Sequence, residues 1–432
     1  MLLQFSVENF KSIKKRTVLS LEASQEKGHE DNFVHDKNTN ILKTVAFFGA
    51  NASGKSNIFH ALTSAILTIR GSADRQVGER LELITPFAFD ENSIGRPSHF
   101  EFVFIASGMR YVYGFSAIKT QIKTEYLYVY NSSKPTVIFI RDEDGVEDES
   151  GNRSSQKYKI TQKSLRSKLS PIISRNTVNK LFLSTATVWN CEETRIPMMW
   201  FMNSINTYPS NRYDGLLPIT GELFEKDSDQ SLKRFIKAVL KEADLNISDY
   251  EFETREVPPE QYGYRVAGFK QIDRAKNLVI TTVHNFKDDL GNESSYSLDL
   301  HDESLGTKNL FFLSPIIKRA FETGETLCID EFDSSVHPML LVYLIGLFHN
   351  PKVNKANAQL IISVHTLDLL DIKILRRDQI YFIEKDPKNG VSELYSLDEY
   401  KATRKPEDIH KSYMLGRYGA IPFIGNGEEL WQ

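Results

Sequence analysis

Apolar and polar positions along the chain follow two rhythms, and the change from one to the other divides it. Leu2–Val7 reads as a strand, and residues 2–23 as two short strands around a Lys-rich turn. Residues 24–40 are polar and charged and predict a loop. The run TVAFF within Lys43–Phe48 predicts a short buried strand. Beyond it, Ile58, Ala61, Leu62, Ala65 and Ile66 recur at i, i+3, i+4, i+7 and i+8, which predicts a helix over Asn57–Ile69. Between Phe87 and Tyr130 the stretches FEFVFIAS, RYVYGFSAI and TEYLYVY alternate with period two, as antiparallel strands with aromatic faces do.

The later pattern changes again. Arg141–Lys157 is charged and Gly/Ser-containing, a hairpin tip or loop. From Ser164 to about Leu245 the spacing is helical, most clearly in SLKRFIKAVLKEA, and residues 249–300 return to strand-like runs. The rest reads as a compact α/β half. It has helices over Leu305–Phe321 and Pro338–Phe348, and strands over Thr326–Asp330, Gln359–Val364 and Gln379–Ile383. These elements predict three parts: an N-terminal lobe over 1–130, an inserted, mainly helical lid over 131–255 and a C-terminal lobe over 256–432. The two lobes share one sheet. No heptad run predicts a long coiled-coil arm.

Composition narrows the class. The chain has 432 residues, 41% of them hydrophobic and 25% charged, ordinary globular values. A formal charge of −4 supplies no global pull toward nucleic acid, although a local basic groove stays open. Two cysteines, Cys191 and Cys328, make no disulfide framework and read as reduced thiols. No apolar run reaches the roughly 20 residues that span a bilayer. The N-terminus lacks the order of a signal peptide. A cytoplasmic protein without a membrane partner is expected.

The candidate chemistry lies in four places. Gly49-Ala-Asn51-Ala52-Ser53-Gly54-Lys55-Ser56 matches GxxxxGK[ST] between a predicted strand and a predicted helix, the setting of a phosphate loop. Small residues let backbone N–H groups approach phosphates, and the helix start at Ser56 and Asn57 adds its positive dipole end. Lys55 would bridge the β- and γ-phosphates and Ser56 would ligate Mg²⁺. The apolar strand in Thr326-Leu-Cys-Ile-Asp330-Glu331 ends in two adjacent carboxylates; Asp330 would hold the metal and Glu331 would polarise the attacking water. The strand QLIISV ends in His365, either a satisfied loop histidine or a γ-phosphate sensor. Glu303-Ser304-Leu305-Gly306-Thr307 opens another apolar-faced helix. It is either a plain Ser-capped start or a second anion site.

The order of phosphate loop, Ser-x-Gly-Thr helix, Asp-Glu pair and strand-end His resembles the ABC/SMC ATPase superfamily. The resemblance implies a P-loop NTPase head of α/β class with an antiparallel β-subdomain and an inserted helical lid. It further implies that Ser304, Gly306 and Thr307 serve ATP·Mg²⁺ held by another copy, and that Asp333–Ser335 crosses a dimer interface. More narrowly, LLQFSVENFKSIKKRTVLSLEAS, DEFDSSVHP, LRRDQIYFIEKD and YMLGRYGAIPFI resemble the AAA-type ATPases of phage-defence and abortive-infection operons, the AbiLi/RloA-like group, distantly OLD-like. That resemblance implies a homo-oligomeric ATPase switch controlling a separately encoded effector, such as a Toprim-type nuclease, with no such domain on this chain. The alternatives are an ATP-dependent scaffold that sequesters a toxin with little turnover, and an SMC- or repair-type ATPase that contacts nucleic acid directly.

Other features read more plainly. Gln121 or the segment Pro86–Phe89 is a candidate for the glutamine-type link from metal to inserted domain. Basic and aromatic residues over Lys401–Arg417 suit a solvated or partner-binding tail more than a nucleic-acid track. Arg376 and Arg377 read as caps of a helix end. Trp189, Met198, Met199, Trp200, Phe201 and Met202 read as lid core or as a partner interface. His284, His301 and His337 lack zinc-ligand spacing.

Overall fold

The computed structural model describes the chain except residues 38, 133, 148–152, 209–215, 244–245, 257–275, 288–290, 401–407 and 423–432. Two large sheets form its frame. The first is antiparallel throughout, in the order Tyr158–Lys159, Thr136–Asp142, Gln121–Tyr130, Met109–Ile118, Ser98–Ala106, Leu2–Glu8, Thr17–Ser20. The aromatics of Ser98–Ala106 and Met109–Ile118 fall on one face, where Phe102 lies opposite both Phe5 and Tyr113, while Tyr126, Tyr128 and Tyr130 lie on the other. The first of these faces is covered by the helix Glu192–Asn203, and the Phe104 and Trp200 rings stack with centroids 4.0 Å apart. The sheet passes the expected boundary at residue 130, because Thr136–Asp142 and Tyr158–Lys159 extend the same ladder.

The second sheet has the order Ile205–Tyr208, Thr326–Ile329, Gln359–Ser363, Thr44–Phe48, Ile380–Lys385, Ser392–Ser396, parallel except for the last strand. Thr44–Phe48 and Gln359–Ser363 are buried at every position, as strands covered on both faces are. Val45 and Phe47 face the helix Lys55–Arg70 and the antiparallel sheet. Ala46 and Phe48 face the helices Leu305–Thr323 and Pro338–His349. The Gln359 side chain joins the two sheets: it accepts from Leu2 N (2.7 Å) and Thr326 Oγ1 (2.9 Å) and donates to the Leu2 and Leu42 carbonyls.

The helical region comprises Lys163–Ile173, Phe182–Val188, Glu192–Asn203, Leu217–Glu225 and Ser231–Glu242. Glu125, fully buried in the antiparallel sheet, accepts from the Phe182 and Leu183 N–H groups at 2.6 and 2.8 Å and so fixes where the second of these begins. A three-stranded antiparallel sheet, Ile247–Glu256, Lys276–Lys287 and Glu293–Asp299, leads into the helix Leu305–Thr323.

Two readings change. Arg376 stands at the N-terminal end of the short 3-10 helix Arg377–Gln379, and neither arginine caps a helix C-terminus. Arg376 is 1% exposed, paired with Asp378 at 2.8 Å and bonded to the Glu26 and Gly28 carbonyls, while Arg377 donates to the Leu397 and Tyr400 carbonyls. The Trp/Met cluster splits: Met198, Trp200 and Phe201 are core, whereas Trp189, Met199 and Met202 are 50%, 47% and 42% exposed. The basic-tail reading rests in part on Lys401, Arg404 and Lys405, which lie outside the described residues. Among those described, no helix is long and apolar enough to cross a membrane.

Candidate functional site

Parallel pairing sets the C-terminal ends of Thr44–Phe48, Gln359–Ser363 and Thr326–Ile329 along one edge of the second sheet. Gly49, His365 and the Asp330–Glu331 pair all emerge there. The loop from Gly49 runs through exposed Asn51 and Ala52 and buried Ser53 to Gly54, which starts the 16-residue helix. Gly54 has φ 112° and no side chain caps the helix after it, so the Lys55 and Ser56 N–H groups are left to meet an anion, while Asn57 N already donates to the Gly54 carbonyl at 2.9 Å. A Cβ at Gly54 would collide with Ser392 Oγ, so only glycine fits. Ser392 donates to the Ser53 carbonyl at 2.7 Å and lies 2.8 Å from Ser12 Oγ, which accepts from Asn57 at 2.6 Å.

The Lys55 ammonium donates to the Gly49 and Ala50 carbonyls at 2.7 and 3.2 Å. Burial pulls its pKa down, and the charges of Asp330, Asp333 and Glu331 push it back up. Those carboxylates therefore face the same space as the phosphate loop.

Asp330 is 5% exposed, and its carboxylate accepts the Ser363 hydroxyl at 2.5 Å. The same hydroxyl oxygen accepts from Glu331 N at 2.7 Å. Glu331 is held at φ 50°, a left-handed conformation that a non-glycine residue keeps only when its surroundings enforce it. Its carboxylate lies 3.6 Å from His365 Nε2. Asp333 turns its Oδ2 onto the N–H groups of His365 and Thr366, both at 2.6 Å, and so holds the histidine turn against the acidic loop.

Ser304 caps the helix Leu305–Thr323: its Oγ accepts from Thr307 N at 3.1 Å and lies 2.8 Å from Thr307 Oγ1. Gly306 packs so closely on the Ser335 carbonyl that a Cβ would collide with it, and Asn309 Nδ2 donates to the Ser334 carbonyl at 2.9 Å. Among the described residues, no hydrogen bond or ion pair joins Ser304, Gly306 or Thr307 to residues 49–57. The structure thus brings Gly49–Asn57, Asp330, Glu331 and His365 to one edge and fastens the Ser304–Thr307 turn to the Asp333–Ser335 loop.

The sequence reading passed over Ser363, although IIS before Val364-His365 already placed a hydroxyl at a strand end. It also missed Ser12, Ser392 and the Asn309 contact, for which only spatial proximity supplies a signal. A cleft of about 420 Å³ is lined by Lys14, Phe87, Phe89, Lys385, Asp386 and Val391; no residue of the phosphate loop lines it, but Val391 neighbours Ser392, which bonds the loop at Ser53. Phe89 is 73% exposed, with Lys385 Nζ 6.0 Å from its ring centre. Gln121 opens a strand of the antiparallel sheet and makes no hydrogen bond to the phosphate loop. Glu303, just before Ser304, accepts from Thr282 Oγ1 and pairs with His284, both at 2.6 Å. Among the described residues no group of three His, Cys, Asp or Glu side chains could hold a metal ion.

Residues 45–371 match the family described as "AAA domain, putative AbiEii toxin, Type IV TA system". No curated protein matches the chain. Among solved structures, an SMC head bound to the C-winged helix domain of ScpA is 15% identical, at a TM-score of 0.44, covering 91% of this chain and 97% of that one. An SMC head with an extended coiled coil bound to the C-terminal domain of ScpA, from Pyrococcus furiosus, is 13% identical at 0.41, covering 91% and 96%. One with a coiled coil and joint, from Pyrococcus yayanosii, is 10% identical at 0.39, covering 92% and 99%.

Proposed function

We propose, from the premise that this chain belongs to the AAA-domain family described as "putative AbiEii toxin, Type IV TA system", that it is an ATP-binding and hydrolysing switch subunit that dimerises head-to-head around ATP·Mg²⁺. The observation that carries the reading is the placement of the Ser304–Thr307 turn. It is a Ser-capped helix start bound to the Asp333–Ser335 loop, not to the phosphate loop of its own chain. A second copy brings that turn onto the first copy's γ-phosphate.

The residues at the edge fit the ligands. Only glycine at position 54 lets the phosphate-loop turn pack against Ser392. The Ser56 hydroxyl and Asp330 carboxylate are hard oxygen donors of the kind Mg²⁺ takes alongside phosphate and water. Held by those two groups, Mg²⁺ would supply charge neutralisation at the phosphates. Lys55 leaves the Gly49 and Ala50 carbonyls for phosphate oxygens. Ser363 orients Asp330 and fixes the Glu331 backbone, so that the Glu331 carboxylate faces the γ-phosphate side and accepts a proton from the attacking water. His365 donates to the γ-phosphate. The base lies in the cleft between Phe87, Phe89 and Lys385, where an aromatic face is open for stacking.

For the wider role we propose an antiviral or abortive-infection system in which this subunit controls a separate effector, such as a nuclease; the family description itself names only a putative toxin of a type IV TA system. The exposed Trp189, Met199 and Met202 suit a protein partner, since Trp and Met are enriched at interfaces. The test is Glu331→Gln. This variant should bind ATP, stop hydrolysing it and accumulate as a closed dimer. An active monomeric Glu331→Gln protein would refute the reading.

A further inference from the structure

A stretch far along the chain is bonded to the first residues of the phosphate loop. Ala50, the second residue of that loop, donates its N–H to the Ala420 carbonyl at 3.0 Å. The same carbonyl accepts the Tyr413 hydroxyl at 2.8 Å. Ala420 is buried and held at φ 56°, a left-handed conformation that costs a residue with a Cβ. Gly416 and Gly419, at φ 74° and 66°, turn the chain toward it from the short helix Ile409–Met414. No Cβ fits at Gly419, where it would stand 2.6 Å from Glu384 Oε2 and 2.8 Å from Tyr395 Oη. The Tyr418 carbonyl accepts the Tyr395 and Tyr400 hydroxyls at 2.7 and 3.2 Å. The Tyr413 and Tyr418 rings stack with Phe382, their centroids 5.4 and 5.6 Å from its own. Phe382 pairs in register with Phe48, the residue before Gly49.

We propose that Tyr413 and Ala420 are positioning residues for nucleotide binding, forming a clasp that fixes the entry of the phosphate loop. This rests on the reading of Gly49–Ser56 as an ATP site. The clasp divides the N–H groups of the loop: that of Ala50 is taken up by Ala420, while those of Lys55 and Ser56 are left for phosphate. The Ala50 carbonyl accepts from Ser53 N and from Lys55 Nζ, both at 3.2 Å, so a shift of Ala50 moves the turn of the loop and the seat of the ammonium with it. Asn51 and Ala52 are exposed, which makes Ala50 the last fixed point before the loop crosses open solvent. A loop held in its binding shape beforehand loses less freedom when the ligand arrives, and affinity rises accordingly. Loosening the clasp therefore weakens nucleotide binding and leaves Asp330 and Glu331 as they were.

The test separates binding from chemistry. Tyr413→Phe keeps the ring beside Phe382 and removes only the hydroxyl. Gly419→Ala drives a methyl group against Glu384 and Tyr395 and displaces the clasp as a whole. Tyr381→Phe is the control, since it removes a hydroxyl from the strand that carries Phe382, one bonded to the Ser20 carbonyl at 3.1 Å in the other sheet. Titration with a fluorescent ATP analogue gives affinity, and steady-state hydrolysis gives KM and kcat. Amide exchange of the peptide containing Ala50, in nucleotide-free protein, reads the bond itself. In Tyr413→Phe, analogue affinity and KM should weaken about three- to tenfold, the worth of one neutral hydrogen bond, and in Gly419→Ala they should weaken further. In both, kcat should stay within about twofold and exchange at Ala50 should quicken, whereas Tyr381→Phe should show none of these changes. If both clasp variants bind the analogue as the wild type does, or if Tyr381→Phe weakens binding as much, the clasp is overturned and the ATP site stands. If the wild type binds no analogue, the reading of the phosphate loop fails and the clasp with it. Should Gly419→Ala fail to fold, Tyr413→Phe decides.

Discussion

Ser363→Ala is the sharpest single perturbation of the acidic edge. The Ser363 side chain is fully buried and serves two neighbours with one oxygen. It donates to Asp330 at 2.5 Å and accepts from Glu331 N at 2.7 Å. A hydrogen bond to a charged group contributes about 1.5–3 kcal/mol, and leaving a buried N–H unpaired costs about 1–3 kcal/mol. The two terms share an oxygen and are not additive, so the net loss of stability is about 2–4 kcal/mol. The loss has a directional consequence as well. Without an acceptor for its N–H, Glu331 has less reason to keep φ 50°, and its carboxylate turns away from the water it would polarise. Denaturant unfolding should show a lower midpoint with an unchanged slope, and steady-state hydrolysis should show a fall in kcat larger than any rise in KM. Ser363→Thr retains the hydroxyl and should recover most of the rate. A Ser363→Ala protein with wild-type stability and wild-type kcat would refute the reasoning.

Gly306→Ala should leave analogue binding by a single chain intact and abolish ATP-driven dimerisation, because the methyl group meets the Ser335 carbonyl; equilibrium binding and sedimentation check the two halves. Phe89→Ala should weaken ATP binding several-fold by removing the open aromatic face, with little effect on kcat, read from KM and kcat separately. His349 is buried against Lys43 and accepts the Thr44 hydroxyl at 2.7 Å, and burial pulls its pKa down to about 3 from an ordinary 6.5. Its stabilising contribution is complete above about pH 6.5 and is lost as pH falls toward 3. His349→Gln should flatten the acid limb of the stability curve over that window. The Cys191 and Cys328 thiols are buried, which pushes both pKa values up, so both should resist alkylation in the native protein and react on unfolding.

The strand, loop and helix over Thr44–Arg70 were legible because each signal is local. An apolar run, a small-residue loop and an i, i+3, i+4 face lie side by side, and Ile58, Ala61, Leu62, Ala65 and Ile66 are all buried as that face requires. The aromatic alternation before Tyr130 was legible for the same reason. The strand Ile205–Tyr208 was not. It is four residues long and partly polar, and its one ladder partner among the described residues, Thr326–Ile329, lies far along the chain. Arg376 misled because sequence prices a charge as exposed, while the fold satisfies this one with Asp378 and main-chain carbonyls. At the candidate site, the phosphate loop and the acidic pair could be read from their own residues. The residues that aim them, Ser12, Ser363, Ser392 and Asp333, could not, because each acts across strands that only the fold brings together.

The central claim is that one nucleotide site is built from two chains, and complementation between two defective chains tests it most directly. Lys55→Ala destroys the phosphate-loop half and Ser304→Arg blocks the helix-start half, so each protein alone should be inactive. In a two-fold dimer of one Lys55→Ala chain and one Ser304→Arg chain, one site carries both defects and the other carries none. Random mixing should therefore return about a quarter of the wild-type sites. The account predicts recovered ATP hydrolysis on mixing, approaching that fraction of the wild-type rate. A mixture that stays inactive, while wild-type protein hydrolyses ATP under the same conditions, would contradict it, as would a Ser304→Arg protein fully active on its own.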